Sequence, residues 1–408
     1  MSFEAPRGTH DILPSEQPLW RWVIGQMEQL CALYGYRRID TPAFEDTELI
    51  VRTSGGGSDV VQKETYTFED RGGRSLTLRP EGTAPICRAY VEHGLHREPQ
   101  PQKLYTIGPM WRYDRPQRGR YREHWQLSLE AIGSDDPAID AEVIQLYDEL
   151  LRRLDVTDYV LELNSIGDRN CRPAYVERLA AWLDAHDAEL DDEARAKRTT
   201  TPLRVFDVKS KRVRAVLANA PTIGESLCDA CREHFARVRS LLEAYGVSYT
   251  LAPTLVRGLD YYTRTTFEFK DEAIGVKDTI CGGGRYDGLI EEIGGPPTPG
   301  IGFGAGLERL ALSVGERYSE APRVDVFFVC RADEDRELVV PLLAELRRRG
   351  LTADADYAGR SVKGQLTRAG KLHAGWTVIV DGPEATVREQ GKDDWSSPLD
   401  GLVDRIAG

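Results

Sequence analysis

The rhythm of the sequence changes once, and that change constrains the architecture more than any other feature. Up to about residue 314, short period-two strand signals mix with long helical stretches. Beyond residue 322 a strand at Val324–Val329, a helix at Glu334–Arg348, a strand at Leu351–Ala355, a helix at Ser361–Leu372 and a strand at Trp376–Val380 alternate. Such alternation predicts a parallel sheet covered on both faces. Gly315–Pro322 reads as the linker between the two patterns. The expected architecture is an antiparallel-rich α+β domain over residues 1–320, followed by a small α/β domain over 322–408.

Within the first region, Leu19, Trp22, Val23, Met27, Leu30 and Tyr34 recur at helical spacing across 15–34, and Gly35 stands where a C-terminal cap belongs. A strand at Tyr36–Asp40 stops before Pro42, and residues 43–64, with Gly55-Gly56-Gly57, read as irregular. Strands near Thr65–Phe68 and Ser75–Leu78 flank the turn Asp70-Arg71-Gly72-Gly73, a hairpin signal. Arg79-Pro80-Glu81-Gly82-Thr83 opens a helix to about His93, and a long hairpin spans Lys103–Gly133. A helix at Ile139–Leu154 and a strand at Tyr159–Asn164 precede a mostly helical stretch, 167–246. Strand signals return at Tyr249–Phe269 and Asp278–Cys281, and a Gly-rich strand with a helix, Ile301–Val314, closes the region.

Composition excludes several classes. The chain is 41% apolar and 29% charged, enough apolar material for a sizeable core and too much for a disordered chain. Apolar runs last only a few residues, as in Val326–Cys330, far short of the roughly 18 that span a bilayer. Met1–His10 has no apolar core of the signal-peptide kind. Seven scattered cysteines read as reduced thiols of a cytoplasmic protein. Cys228 and Cys231, with His234 three residues on, have metal-ligand spacing, but no second close pair matches them. They are therefore expected to be small buried thiols, with no metal. The net charge of −13 argues against bulk attraction to nucleic acid.

Local placement tells more. Along Tyr121–Ala131 the odd positions Trp125, Leu127, Leu129 and Ala131 are apolar, and the even positions Arg122, His124, Gln126, Ser128 and Glu130 are polar. That polar face is either solvated or a site for a small zwitterion. The adjoining loop carries Arg112, Arg115, Arg118, Arg120 and Arg122 against Asp114, a local charge of +4 that suits phosphates. Gly300, Gly302, Gly304 and Gly306 share one side of a strand, a bare face for a flat ring or a site of close packing. Arg309 follows in the first helical turn, where the helix dipole also favours an anion.

In this order, together with Leu255-Val256-Arg257-Gly258-Leu259-Asp260-Tyr261-Tyr262 and Gly282-Gly283-Gly284-Arg285-Tyr286-Asp287, these segments resemble the histidyl-tRNA synthetases, a family of class II aminoacyl-tRNA synthetases. The resemblance covers nearly the whole chain. The first helix and the strand ending at Pro42 resemble class II motif 1, which implies a homodimer. Trp111-Arg112-Tyr113 through Gln126 and Glu130 resemble motif 2, Gly302–Leu310 resembles motif 3, and Arg79–Thr83 is similar to the amino-acid-binding turn. The resemblance implies a cytoplasmic ligase that activates L-histidine with ATP and passes it to the 3′ end of histidine tRNA.

By the same resemblance, Glu81, Thr83 and Gln126 would hold the α-ammonium group, and Glu130 and Tyr262 would contact the imidazole, with Tyr261 nearby. Arg257 would meet the carboxylate and the α-phosphate, and Arg112 and Arg309 would clamp ATP. Adenine would lie against Gly304 and Gly306. Many relatives have an aromatic residue followed by His where this chain has His124-Trp125; strand parity sends Trp125 to the opposite face, so either His124 stacks on adenine or a local twist recruits Trp125. Mg²⁺ would arrive on the β- and γ-phosphates. Arg115, Gln117 and Arg118 would face the tRNA acceptor end. Residues 167–246, with Lys209, Lys211, Arg212 and Arg214, correspond to the insertion domain, and 322–408 to the anticodon-binding domain, although 385–400 look shortened. The competing resemblance is the silent regulatory subunit of an ATP phosphoribosyltransferase, which lacks an anticodon domain and loses key motif residues.

Overall fold

The computed structural model describes residues 3–54, 63–259, 261–271, 278–315, 324–389 and 391–408. Gly55–Gly57, Asp260 and residues 316–322 of the linker lie outside the described residues. The chain divides into two compact units, Met1–Asp11 with Trp20–Arg317, and Ile12–Leu19 with Tyr318–Gly408.

The first unit is built on an eight-stranded sheet. In chain order its strands are β1 (Arg37–Arg38), β5 (Gln102–Trp111), β6 (Glu123–Ile132), β7 (Tyr159–Ser165), β8 (Thr250–Leu251), β9 (Thr263–Asp271), β10 (Asp278–Arg285) and β11 (Gly300–Gly306), where β2 (Phe44–Asp46), β3 (Thr67–Glu69) and β4 (Ser75–Leu78) form a separate small sheet. Across the large sheet the order is β1-β5-β6-β11-β10-β9-β7-β8. The six central strands are antiparallel, and the two-residue edge strands β1 and β8 add in parallel. The expected hairpin around Asp70–Gly73 forms, with β3 and β4 paired. Strand β2 and the helix Thr47–Ser54 fall where the sequence reads as irregular; both are too short to show a clear period.

Period-two patterning fixes which way each strand faces. Leu127, Leu129 and Ala131 of β6 are fully buried on one side, where Trp125 meets Trp20 of the first helix (Gln17–Leu33) edge-on at 6.1 Å. On the same side Tyr147 of the helix Pro137–Arg153 packs against Phe269 of β9 and Phe303 of β11, at 4.9 and 5.3 Å between ring centres. Each such side chain contributes about 1.5–3 kcal/mol by leaving water. The opposite side of the sheet carries the polar residues and the helix Thr83–Glu92.

Residues 167–246 hold the helices Arg172–Ala185, Asp192–Thr200, Lys211–Leu217 and Asp229–Ala244, with a core of their own around Tyr175, Leu179, Val205, Val213 and Cys231. The four basic residues Lys209, Lys211, Arg212 and Arg214 are all exposed.

In the second unit, β12 (Val326–Cys330), β13 (Ala353–Ala355) and β14 (Trp376–Asp381) are parallel in the order β13-β12-β14, and the helices Asp335–Arg348 and Val362–Lys371 alternate with them. The all-parallel expectation is corrected at one edge. β15 (Glu384–Glu389) and β16 (Trp395–Pro398) extend the sheet antiparallel through tight returns, in the stretch that looked shortened. Charged residues such as Glu384, Arg388 and Glu389 mask the alternation of Ala385 and Val387, which are buried.

Candidate active site

A cleft of about 310 Å³ opens on the polar side of the large sheet. Its lining brings together Glu81 and Thr83 from the start of the Thr83–Glu92 helix, Arg112, His124 and Gln126 from the β5–β6 hairpin, and Arg257, Tyr261 and Tyr262 from the segment before β9. Gly304, Gly306 and Arg309 come from β11 and the helix after it. All eleven are residues to which the family resemblance gives a ligand contact, and two of them, His124 and Gln126, also sit on the polar strand face; that face is enclosed by the cleft instead of open to bulk water.

The carboxylate of Glu81 is pinned by the backbone N–H groups of Thr83 and Ala84, at 2.6 and 2.8 Å, and burial raises its pKa. Thr83 donates its hydroxyl to Glu130 Oε1 at 2.6 Å, and Tyr286 donates its own to Glu130 Oε2 at 2.5 Å. Glu130 is fully buried behind Thr83 and is not part of the cleft lining. Burial, reinforced by the nearby Glu81 charge, pushes its carboxyl up to about 8, against the pull of those two hydroxyls.

The cationic wall is also held from behind. Arg257 is paired with Glu268 on β9, and Glu268 accepts a hydrogen bond from Thr279 Oγ1 at 3.1 Å. Arg112 donates Nε to the Pro80 carbonyl at 2.8 Å. Arg309 donates to the carbonyls of Thr279 and Gly119. Fixing a guanidinium through part of its donor fork lowers the ordering cost of its further contacts. His124 sits between these charges. Burial first, then Arg112 and Arg309, push its imidazole down to about 3, so the ring is neutral at physiological pH. Trp125 faces away toward Trp20, as parity requires, and its backbone N–H donates to Glu308 Oε1 at 2.8 Å.

The glycine pattern resolves differently from the flat-ring expectation. On β11, a Cβ at Gly302 would run into Glu130 and the Leu129 carbonyl, and one at Gly304 would meet the Gln126 amide at 2.7 Å. Gly300 is likewise covered by the Tyr286 ring. Only Gly306 of the four has open space beside it. The bare strand is therefore mostly filled by side chains reaching across from its neighbours, with an opening at its C-terminal end.

The triple glycine on β10 is equally specific. Gly282 lies under the Arg257 guanidinium, and Gly283 and Gly284 pack on the neighbouring strands. Arg285, next in line, points away from the cleft into a fully buried ion pair with Asp140, 2.7 Å, and donates to the Ser134 carbonyl. Sequence proximity to the motif concealed this structural role. Arg115, Gln117 and Arg118 are exposed on the hairpin loop, outside the cleft lining, whereas Gly119, Arg120 and Tyr121 of the same loop line it. Arg122 lies 3.7 Å over the Tyr113 ring and is not on the polar strand face. His234 faces Asp140, not the two cysteines beside it in sequence.

An antiparallel sheet that carries a strand-loop-strand hairpin with its arginine, a Gly-rich strand and a helix with a second arginine, all around one cleft, defines a class II aminoacyl-tRNA synthetase. A sequence profile described as histidyl-tRNA synthetase matches residues 8–310. The chain is 45% identical to the histidine–tRNA ligase of Halothermothrix orenii over 95% of this chain and 94% of that one, and 45% identical to that of Dehalococcoides mccartyi over 99% of both. Among solved structures, apo histidyl-tRNA synthetase of S. aureus matches with a TM-score of 0.84 at 35% identity, covering 100% of both chains. The chain belongs to the histidyl-tRNA synthetase family.

Proposed function

We propose that the cleft joins L-histidine to ATP, releasing pyrophosphate, and then transfers the histidyl group to the 3′ end of histidine tRNA. The enzyme is a histidine–tRNA ligase, as its near full-length relatives are. The observation that carries the residue assignments is the opposition within one cleft of three guanidiniums, Arg112, Arg257 and Arg309, to the polar wall of Glu81, Thr83 and Gln126. A carboxylate with neutral acceptors matches an ammonium group, and a guanidinium matches a carboxylate or phosphate.

In this reading the histidine ammonium binds Glu81, Thr83 and Gln126, and its imidazole lies against Tyr261 and Tyr262. Glu130 acts one layer back, by holding Thr83 and Tyr286. The histidine carboxylate attacks the α-phosphorus, pyrophosphate leaves, and Arg257 receives the charge that builds on the phosphate oxygens. Arg112 and Arg309 hold the remaining phosphates, and neutral His124 offers a ring face to adenine beside Gly304 and Gly306. Transfer follows when the terminal ribose hydroxyl of tRNA attacks the adenylate carbonyl and AMP leaves.

Mg²⁺ comes in with ATP. Several carboxylates of the lining are already engaged: Glu268 with Arg257, Glu308 with the Trp125 backbone N–H, and Asp114 with the Arg115 backbone N–H at 2.6 Å. That favours an ion held by phosphates and water. The exposed Arg115, Gln117 and Arg118 suit the acceptor end, the helical insertion suits the acceptor arm, and the C-terminal unit suits the anticodon. A cytoplasmic homodimer fits the family resemblance; among the described residues no helix is long and apolar enough to cross a membrane.

Pyrophosphate exchange with each amino acid in turn tests the activation step. Exchange with histidine alone is expected; absence of exchange with every amino acid would point to the regulatory-subunit reading. Sedimentation of the full chain tests the dimer.

A further inference from the structure

The helical insertion leaves the sheet after β7, and its last helix, Asp229–Ala244, leads back to the sheet at β8. Where the start of that helix meets the stem after β7, Asp168, Cys171, Cys228 and Cys231 present one carboxylate oxygen and three sulfurs, all within 4.8 Å of one another. From the geometry we infer that these four residues form a structural zinc site that clamps the two stems of the insertion together.

Three of the separations lie close to those of a tetrahedral site. Zn–S bonds of about 2.3 Å and Zn–O bonds of about 2.0–2.2 Å put the ligand atoms roughly 3.5–3.8 Å apart. Cys171 Sγ lies 3.9 Å from Cys231 Sγ and 3.5 Å from Asp168 Oδ1, and Cys228 Sγ lies 4.0 Å from that oxygen. The sulfur pair is too far apart for a disulfide, whose S–S bond is about 2.05 Å, and all seven cysteines are free. Three soft thiolates with one carboxylate favour zinc over magnesium or calcium, and four protein ligands leave no open position for catalysis.

The surroundings are built as an outer shell. Asp168 Oδ1 accepts the backbone N–H of Asn170 at 2.9 Å, and Oδ2 accepts from the Asn170 side chain at 3.3 Å with Arg264 at 3.8 Å. These contacts orient the carboxylate toward the sulfurs, as outer partners do around metal ligands. Gly167 has φ +65°, and a Cβ there would stand 2.7 Å from Cys171 Sγ. Cys171, Cys231 and Asp168 are buried, while Cys228 is half-buried and gives an ion a way in. The site borders the insertion's own core, to which Cys171 and Cys231 also belong. Counting ligands by local spacing missed it because Cys171 lies 57 positions upstream of Cys228.

Elemental analysis of the full-length chain, purified under reducing conditions without chelator, should find one zinc per chain. Cobalt exchanged for zinc should give the visible bands of a tetrahedral ion and a near-ultraviolet thiolate-to-cobalt band. Cys228→Ser with Cys231→Ser should lose both metal and bands, and Cys330→Ser should keep them. The cobalt spectrum of the wild-type chain reads the site even where the double variant fails to fold. A fully reduced, folded wild-type chain that holds no zinc and develops no cobalt bands would overturn the assignment.

Discussion

The guanidinium of Arg257 rests directly on the backbone of Gly282, so closely that a Cβ at that position would occupy the same space. The obstacle is the end of a flexible side chain, not backbone. Gly282→Ala is therefore expected to leave the fold intact and to swing Arg257 out of line. Loss of one preorganised donor at a developing oxyanion typically costs 10²–10³ in rate, so histidine-dependent pyrophosphate exchange should fall by about that factor. Histidine binding, followed by calorimetry, should change little. Arg257→Ala should show the same split, and near wild-type exchange in it would remove Arg257 from the α-phosphate.

Two glycines on one strand should answer the same substitution in opposite ways. At Gly302 an added methyl meets Glu130 and the Leu129 carbonyl, neither free to retreat. Gly302→Ala should cost ~1–3 kcal/mol or more, read from urea unfolding. At Gly306 the space is open and φ is −77°, so Gly306→Ala should unfold at the same midpoint. Its effect should appear instead as a higher KM for ATP.

The buried carboxyl of Glu130 makes a pH statement. Its pKa is raised to about 8 from 4.5, so the folded chain binds a proton that the unfolded chain releases. The stabilisation from that proton is complete below about 4.5 and fades as pH rises through about 8. Glu130→Gln cannot ionise and keeps an acceptor for Thr83 or Tyr286. Its melting temperature should gain on that of the wild type as pH climbs across this window. A constant difference across the window would contradict the raised pKa.

Binding of tRNA should depend only moderately on salt, because the basic residues sit in a few patches on a chain of net charge −13. Each phosphate contact contributes a slope of roughly 0.7–0.9 in log K against log salt. Replacing Arg115 and Arg118 together by Ala should reduce the slope by about 1.5. A wild-type slope of ten or more would contradict binding through patches.

Where a side chain's role followed from strand parity or from a motif, the sequence was legible. His124 and Trp125 part to opposite faces, and Arg112, Arg257 and Arg309 meet in one cleft. What stayed hidden depends on partners distant along the chain. Nothing near Arg285 announces its buried pairing with Asp140, 145 residues earlier, and nothing near Gly302 announces that Glu130 fills its face. The C-terminal edge strands were hidden for a local reason, since their exposed faces are rich in charge.

Strand β6 pairs with β5 over ten residues and with β11 over seven, without a bulge, and both of its faces are committed. One gained or lost codon within it would exchange His124 for Trp125 in the cleft and bring Leu127 or Leu129 to where Gln126 and Glu130 stand. The loop at Asp114–Gly119, a few positions upstream, carries no such register. Length variation among relatives should therefore collect in that loop and be purged from the strand, so the cleft-lining strand and the exposed loop of one hairpin evolve under different rules.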